Sequence, residues 1–521
     1  MPNNYHILWA DDEIDLLKPH LMFLRSRGYD VATACSGADA LEMAVEQPFD
    51  LIILDENMPG LTGLETLSAI KQRMPHIPVI MITKSEEENI MDQALGSKIA
   101  DYLIKPVNPN QILLAIKKQL DSGRLVSEQT SVDYRREFAA LSDSIARADS
   151  IDDWYELYRR LVFWDMQIAS AATTGMDEML DHQRREANQE FGKWIRRHYE
   201  AWAASKDAPG RPLMSPELIP ARVMPMLADK DAGGKVFMVL IDNFRLDQWL
   251  MVKPLLTELF NFDEQLYTSI LPTATQYARN AIFSGLMPLQ ISQMFPQLWV
   301  DEDSEEGKNL NESPLLSTLF ERYRRPVKFS YHKINDSAGA EKLLRDFSQL
   351  EANDLNVIVV NFIDMLSHAR TESKMIRELA KSDAAYRSIT QSWFRHSPVL
   401  DLFRRIAARG HRVLLTTDHG TIRVEQPVKV VGDRNTNTNL RYKLGKNLDY
   451  DARRVYEIRD PRRVSLPAPN LSTAYIFAMG RDFLAYPNNY NYYVQYYTGT
   501  FQHGGVSMEE MLVPLITMTP K

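Results

Sequence analysis

The chain has 521 residues, 45% apolar and 25% charged, a globular composition too long for one hydrophobic core and unlike disordered or fibrous classes. Its 60 Lys and Arg face 69 Asp and Glu, a net −9 that argues against a nucleic-acid-coating protein, and the single Cys35 allows no internal disulfide. Met1 to His6 show no basic stretch leading into an apolar run, and no run approaches the ~20 residues of a spanning helix, so the expectation is a cytoplasmic protein, not a membrane protein.

The first ~120 residues alternate apolar strands with amphipathic helices, the pattern of a parallel α/β sheet. Strands are expected at His6–Ala10, Asp30–Ala34, Leu51–Asp55, Val79–Thr83 and Asp101–Ile104, with helices such as Glu13–Arg27 and Gly37–Gln47 between them. Asp11 and Asp12 follow the first strand and Asp55 ends the third, so three carboxylates converge at one edge of the sheet. They repel unless a divalent cation neutralises them, and oxygen ligands of this kind suit magnesium. Lys105 adds a cation able to pair with a phosphoryl oxygen, and Thr83 a hydroxyl.

The segments Ile7-Leu8-Trp9-Ala10-Asp11-Asp12-Glu13, Leu54-Asp55-Glu56-Asn57-Met58-Pro59-Gly60 and Lys105-Pro106 resemble a response-regulator receiver domain, expected over residues 1–122. The resemblance implies a flavodoxin-like, doubly wound fold with Asp55 as phospho-acceptor. It implies one Mg²⁺ held by Asp12, Asp55 and the carbonyl of Asn57, with Asp11 behind them and Lys105 as the phosphate's counter-ion. Thr83 and Tyr102 become the switch pair, and the Lys105–Pro106 peptide is implied to be cis. A sensor histidine kinase and a homodimer formed on phosphorylation follow from the same resemblance.

From about Gln111 to Tyr199 the pattern turns helical, and a helical bundle domain is expected over residues 123–208. Trp154, Trp164, Trp194 and Trp202 read as its core anchors, and Arg184, Arg185, Glu186 and Glu190 as solvated positions. Pro209, Pro212, Pro216, Pro220 and Pro225 read as a linker. No terminal helix pair with a basic recognition helix follows, which argues against sequence-specific DNA binding.

After Gly233-Gly234 a second α/β region begins, in which apolar strands repeatedly end in metal-capable residues: Asp242 after Val236–Ile241, Asp364 after Val357–Asn361, and Asp418 after Val413–Thr417. Asp364 and His368 stand at i and i+4, able to share one metal if helical. Asp418-His419-Gly420 follows a strand, and His503-Gly504-Gly505 lies in a Gly-bracketed loop. The segment from Leu271-Pro272-Thr273-Ala274-Thr275 to Leu286-Met287-Pro288 places a Thr at a helix start, where it can attack phosphorus or simply cap the helix.

Together these segments resemble the alkaline phosphatase superfamily, and more closely its PglZ branch, expected over residues 209–521. The resemblance implies two zinc ions: one held by Asp242, Thr275, Asp418 and His419, the other by Asp364, His368 and His503. Manganese remains open, since the ligand sets suit both. Thr275 is implied as nucleophile, forming a phosphothreonine in line between the two metals. Where the family often has Phe-Pro-Asn after this Thr, the chain has Gln276-Tyr277-Ala278, which leaves Thr273 as an alternative. Arg279 and Asn280, one turn beyond Thr275, and Asn439 and Arg441, in the cationic Asn-rich stretch 434–443, are candidate substrate-binding residues.

Receiver, helical middle and PglZ-type domain in this order resemble the PorX-like response regulators linked to type IX secretion. The implied function is a phosphorylation-controlled zinc phosphodiesterase acting on a nucleotide or oligonucleotide. The alternative is a signalling scaffold that binds a sigma factor or membrane partner and keeps its zinc site for structure alone.

Overall fold

Five apolar runs form the first sheet: β1 (His6–Ala10), β2 (Asp30–Ala34), β3 (Leu51–Asp55), β4 (Val79–Thr83) and β5 (Asp101–Ile104). They lie parallel in the order β2-β1-β3-β4-β5, the flavodoxin-like arrangement. Strands β3 and β4 are buried along their whole length, which is why they read as continuous apolar runs. Helices α1 (Lys18–Ser26) and α4 (Pro109–Leu120) bury Leu24, Ile112 and Ile116 against Ile7 and Trp9. On the other face, α2 (Gly37–Glu46) and α3 (Gly63–Arg73) bury Ala40, Leu67 and Ile70 against Leu8 and Leu54. Helix α1 starts at Lys18 rather than at Glu13, because Pro19 suits a first turn and Ile14–Leu17 form a 3₁₀ turn instead. Thr62 and Glu65 close a capping box on α3, which fixes where the chain turns after Asp55.

The computed structural model describes residues 5–74, 77–84, 99–120, 122–171, 175–229, 233–302, 304, 307–372, 382–433, 436–470 and 472–521. The chain forms two compact units, Met1–Asp133 with Ala171–Thr173, and Tyr134–Ser170 with Thr174–Lys521. Among the described residues, no helix is long and apolar enough to cross a membrane.

In the second unit, helices α5 (Ser122–Arg147, from Tyr134 on), α6 (Ile151–Ala171) and α7 (Met176–Ala204) pack through an aromatic core. Trp154 meets Phe191 at 5.3 Å and Trp194 meets Trp202 at 5.0 Å between ring centroids. Three of the four expected anchors are buried, while Trp164 is only partly covered, tilted against Tyr134. The Pro-rich stretch is not the loose linker its composition suggested. Met214, Leu218, Ile219 and Val223 are fully buried, because the prolines start short helical turns that carry apolar side chains into the core.

The phosphatase-like region is built on β6 (Val236–Ile241), α8 (Leu246–Val252), β7 (Phe260–Thr268), α9 (Thr275–Ser284), α10 (Glu312–Arg322), β8 (Phe329–Ile334) and β9 (Leu355–Val360). It continues through α11 (Phe362–Glu372), α12 (Asp383–His396), β10 (Arg412–Thr416), β11 (Tyr442–Gly445), β12 (Val455–Ile458), β13 (Ala474–Ala478) and β14 (Leu512–Pro520). The main sheet runs β7-β14-β10-β6-β9-β8. Strands β10, β6, β9 and β8 are mutually parallel, and β14 lies antiparallel to both β10 and β7. Strands β11, β13 and β12 form a small antiparallel sheet. The parallel strands β6, β9 and β10 are buried throughout, and their carboxyl ends hand the chain to Asp242, Asp364 and Asp418.

A buried ionic lattice ties the helical part to this sheet. Arg184 of α7 meets Asp165 of α6 at 3.4 Å and Glu509 at 3.1 Å. Arg245 bridges Asp247 at 2.6 Å and Asp383 at 2.8 Å, and Arg387 reaches Asp247 at 3.2 Å and also pairs with Asp165. Arg185 and Glu186 are exposed as expected, but Arg184 is not on a solvated face: three carboxylates from separate elements draw it inward. Burial alone would raise the Asp383 carboxyl, yet Arg245 and Arg184 hold it well below its usual range.

Candidate metal centres

In the first unit, the parallel register brings Asp11, Asp12 and Asp55 together, with one oxygen from each within 4.8 Å of the others. Lys105 Nζ lies 2.8 Å from Asp55 and 3.0 Å from Asp11. Burial raises the Asp55 carboxyl, the Asp11 and Asp12 charges push the same way, and Lys105 opposes them. The ammonium of Lys105 is lost less readily than usual: its two carboxylate partners outweigh a burial effect of opposite sign. A divalent cation among these oxygens relieves the repulsion that Lys105 only partly balances, so the donor set fits Mg²⁺. Asn57 is exposed beyond β3. Thr83 is buried at the end of β4, where its hydroxyl donates to the Glu56 carboxylate, and Tyr102 packs partly buried against the Leu8 face. The Lys105–Pro106 peptide is cis.

In the second unit, two clusters form. Asp242, Asp418 and His419 bring ligand atoms within 4.8 Å of one another, and so do Asp364, His368 and His503. The first cluster is buried, whereas His368 of the second is 65% exposed at its side chain, so the pair opens to solvent on one side. The His419 and His503 rings stack at 4.3 Å, which sets the clusters side by side. His419 Nδ1 donates to the Gly420 carbonyl at 3.1 Å and His503 Nδ1 to the Thr273 carbonyl at 3.2 Å, leaving both Nε2 atoms facing the carboxylates. Burial, with His503 adding to it, lowers the His419 pKa to about 3, so the imidazole is a neutral donor at ordinary pH. Two sets of carboxylate and imidazole donors, with the Nδ1 atoms of His419 and His503 engaged by carbonyls and their Nε2 atoms left over, fit two zinc-type ions.

Thr275 opens α9 beside the Asp242–Asp418–His419 cluster. Its hydroxyl lies 3.1 Å from His419 Nε2 and 3.5 Å from Asp242 Oδ1. Ala274, at the N-cap, places no side chain over the first-turn N–H groups. Thr273 is occupied elsewhere: its buried hydroxyl donates to the Gly505 carbonyl at 2.9 Å and accepts from the Gly504 N–H at 3.1 Å. Gly504 itself is required there, since at φ +122° an added Cβ stands 2.6 Å from the Tyr442 ring.

Three of the four candidate substrate-binding residues, Arg279, Asn280 and Arg441, are buried, and the fourth, Asn439, is half-buried beside Gly504. Arg441 is fully buried, with Nε and Nη2 donating to the two Glu510 oxygens at 3.1 and 2.6 Å. Asn439 Oδ1 accepts from the Arg441 and Tyr442 N–H groups, closing a turn, and Arg434 and Asn435 of the same stretch lie outside the described residues. Asn280 is 2% exposed, and its amide points to the Lys308 carbonyl. Arg279 is 1% exposed and pairs with Asp242 and Asp418 behind the ligand cluster. Helical spacing put Arg279 on the Thr275 face correctly but said nothing of depth.

Other residues of the site escaped the sequence reading. Asn243 Nδ2 donates to Asp364 Oδ1 at 3.3 Å and to Ser367, and its φ of +62° at a strand end is the signal that Asn there has a local role. Glu312 lies buried beside Arg279, held by Lys333 at 2.9 Å. Nothing in their spacing announces that pair.

Comparison with known proteins gives three family matches in chain order. A response regulator receiver domain matches residues 7–117, a PorX response regulator linker domain residues 124–203, and a BREX system PglZ alkaline phosphatase-like domain residues 219–518. The transcriptional regulatory protein ZraR of Klebsiella oxytoca is 36% identical over 140 residues, 27% of this chain and 32% of that protein. The alkaline phosphatase synthesis transcriptional regulatory protein PhoP of Bacillus subtilis is 32% identical over 131 residues, 25% of this chain and 54% of that one. The chemotaxis response regulator CheY4 of Vibrio cholerae, a solved structure, is 30% identical over 23% of this chain and 100% of its own, with a TM-score of 0.22. The chain spans about a third of the length of the first of these curated relatives.

Proposed function

The chain belongs to the PglZ alkaline phosphatase-like family and has the receiver, linker and output order of a PorX-like response regulator, and on that premise we propose a phosphorylation-controlled zinc phosphodiesterase. Its substrates are phosphodiesters of nucleotide or oligonucleotide type. Its phosphoryl donor is a sensor histidine kinase, and its place is in signalling to type IX secretion. The observation that carries the reading is Thr275: a hydroxyl at an uncapped helix start, 3.1 Å from His419 Nε2 of a buried metal-capable cluster whose His419 ring stacks on His503 of a second.

Asp242, Asp418, His419 and Thr275 would hold one zinc ion and Asp364, His368 and His503 a second, and the bound ions would supply Lewis acidity and neutralise phosphoryl charge. Thr275 Oγ1 forms the new bond to phosphorus as the ester oxygen opposite it leaves as the alcohol, giving a phosphothreonine. The first-turn N–H groups of α9 face the anionic phosphoryl group. Water then cleaves the phosphothreonine, restoring the hydroxyl and releasing a phosphate monoester.

The test is metal content by mass spectrometry, paired with hydrolysis of bis-p-nitrophenyl phosphate. Wild type is expected to hold two zinc ions and turn over, and Thr275→Val to lose ~10³-fold or more in kcat while remaining folded. Full turnover by Thr275→Val would remove Thr275 as nucleophile, and zinc-free wild type would remove the metal reading.

A further inference from the structure

We infer that Arg279 is a positioning residue for the metal centre, its guanidinium fixing Asp242 and Asp418 relative to one another and to the helix that carries Thr275. The inference rests on the zinc reading above and assigns a role within that site. Arg279 Nε lies 2.9 Å from Asp418 Oδ2, Nη2 pairs with Asp242 Oδ2, and Nη1 stands 3.9 Å from Glu312 Oε1. Arg279 is 1% exposed, so it meets neither solvent nor a ligand entering from the open side. Both aspartates are buried as well, and their charges so close together need a resident cation.

The geometry does more than balance charge. Asp242 divides its oxygens: Oδ2 goes to the guanidinium, and Oδ1 faces Thr275 at 3.5 Å and His419 at 3.9 Å. One fork therefore spans the ends of β6 and β10 from α9, four residues beyond Thr275 and on the same helix face. Behind it, Lys333 of β8 holds Glu312 of α10 at 2.9 Å, so the fork is itself held from the rear. Only a planar multi-donor group makes this arrangement, and a lysine ammonium is a point charge that cannot address two carboxylates along separate directions. Groups that orient ligands from behind in this way are worth ~10- to 100-fold in metal affinity or activity.

The experiment compares the full chain with Arg279→Gln and Arg279→Lys, with zinc alone as probe and a graded chelator competition read by mass spectrometry. Arg279→Gln is expected to release one of its two zinc ions at ~10-fold lower chelator strength than wild type does. Its kcat for bis-p-nitrophenyl phosphate should fall with KM little changed, and Arg279→Lys should recover only part of the zinc affinity. A variant Arg279→Gln that holds both ions as tightly as wild type and merely melts earlier would overturn the inference. Should the Gln variant fail to fold, the Lys variant decides: unchanged zinc affinity and kcat overturn it, weakened zinc with a folded chain supports it. Wild type that binds no zinc would instead bring down the proposed function and this inference together, a result distinct from any difference among the variants.

Discussion

Lys443 is fully buried on β11, and its ammonium has the Asn437 carbonyl at 2.9 Å and the face of Tyr486 at 4.5 Å for company. Burial drives its pKa down to about 7. The unfolded chain keeps that amine near ~10.4, so between about pH 7 and 10 the unfolded state binds more protons and stability rises with pH. Below about pH 7 both states are protonated, and the cost of burying the ammonium is felt in full. Lys443→Met removes the group while keeping its length. The variant should be the more stable at pH 7, and its advantage should shrink toward pH 10 by up to ~1.4 kcal/mol per pH unit. Urea unfolding at several pH values reads this directly, and parallel curves for the two proteins would refute it.

Between elements, the helical part and the phosphatase-like sheet are joined by charge as well as by apolar packing. Arg184 sits among Asp165, Asp383 and Glu509, contributed by three separate segments. Replacing it with Met takes the cation from buried Glu509 and leaves Asp165 and Asp383 to Arg387 and Arg245, which is expected to cost ~3 kcal/mol in chemical denaturation. A loss under ~1 kcal/mol would mean that water reaches the lattice. This lattice also marks the limit of what the sequence discloses. The strands were legible as apolar runs, and Asp242, Asp364 and Asp418 as candidate ligands because each follows the carboxyl end of such a run. Arg184, Arg279 and Arg441 read as surface or substrate-facing residues, since a charged side chain on a helix or loop looks the same from its neighbours whether it faces water or a buried acid. Their partners, among them Glu509, Glu312 and Glu510, lie far along the chain. The Pro-rich segment misled for a related reason: proline marks a turn, and burial comes from the Met, Leu, Ile and Val around it.

At the scale of the molecule, the receiver and the phosphatase-like output occupy different compact units, so the proposed control through Asp55 is expected to work by a change in how chains associate. Phosphorylation adds charge and acceptor oxygens at a carboxylate that burial already disfavours as an anion. Lys105, 2.8 Å away, is placed to meet them. On the proposed reading, Thr83 would exchange its hydrogen bond to Glu56 for one to the phosphoryl group, and Tyr102, half-covered beside β4, would turn inward. The resulting change on the β4–β5 side is expected to favour a homodimer. Acetyl phosphate or beryllofluoride with Mg²⁺ should shift the wild type from monomer toward dimer in sedimentation analysis at micromolar concentration. Asp55→Asn should remain monomeric under the same treatment with its metal content in the output unit unchanged, because the residues proposed to hold zinc lie in the other unit. If Asp55→Asn dimerises like wild type, association is independent of the acceptor. If wild type is phosphorylated and stays monomeric, the receiver acts within one chain, and the rate of phosphodiester cleavage before and after phosphorylation becomes the quantity that reports it.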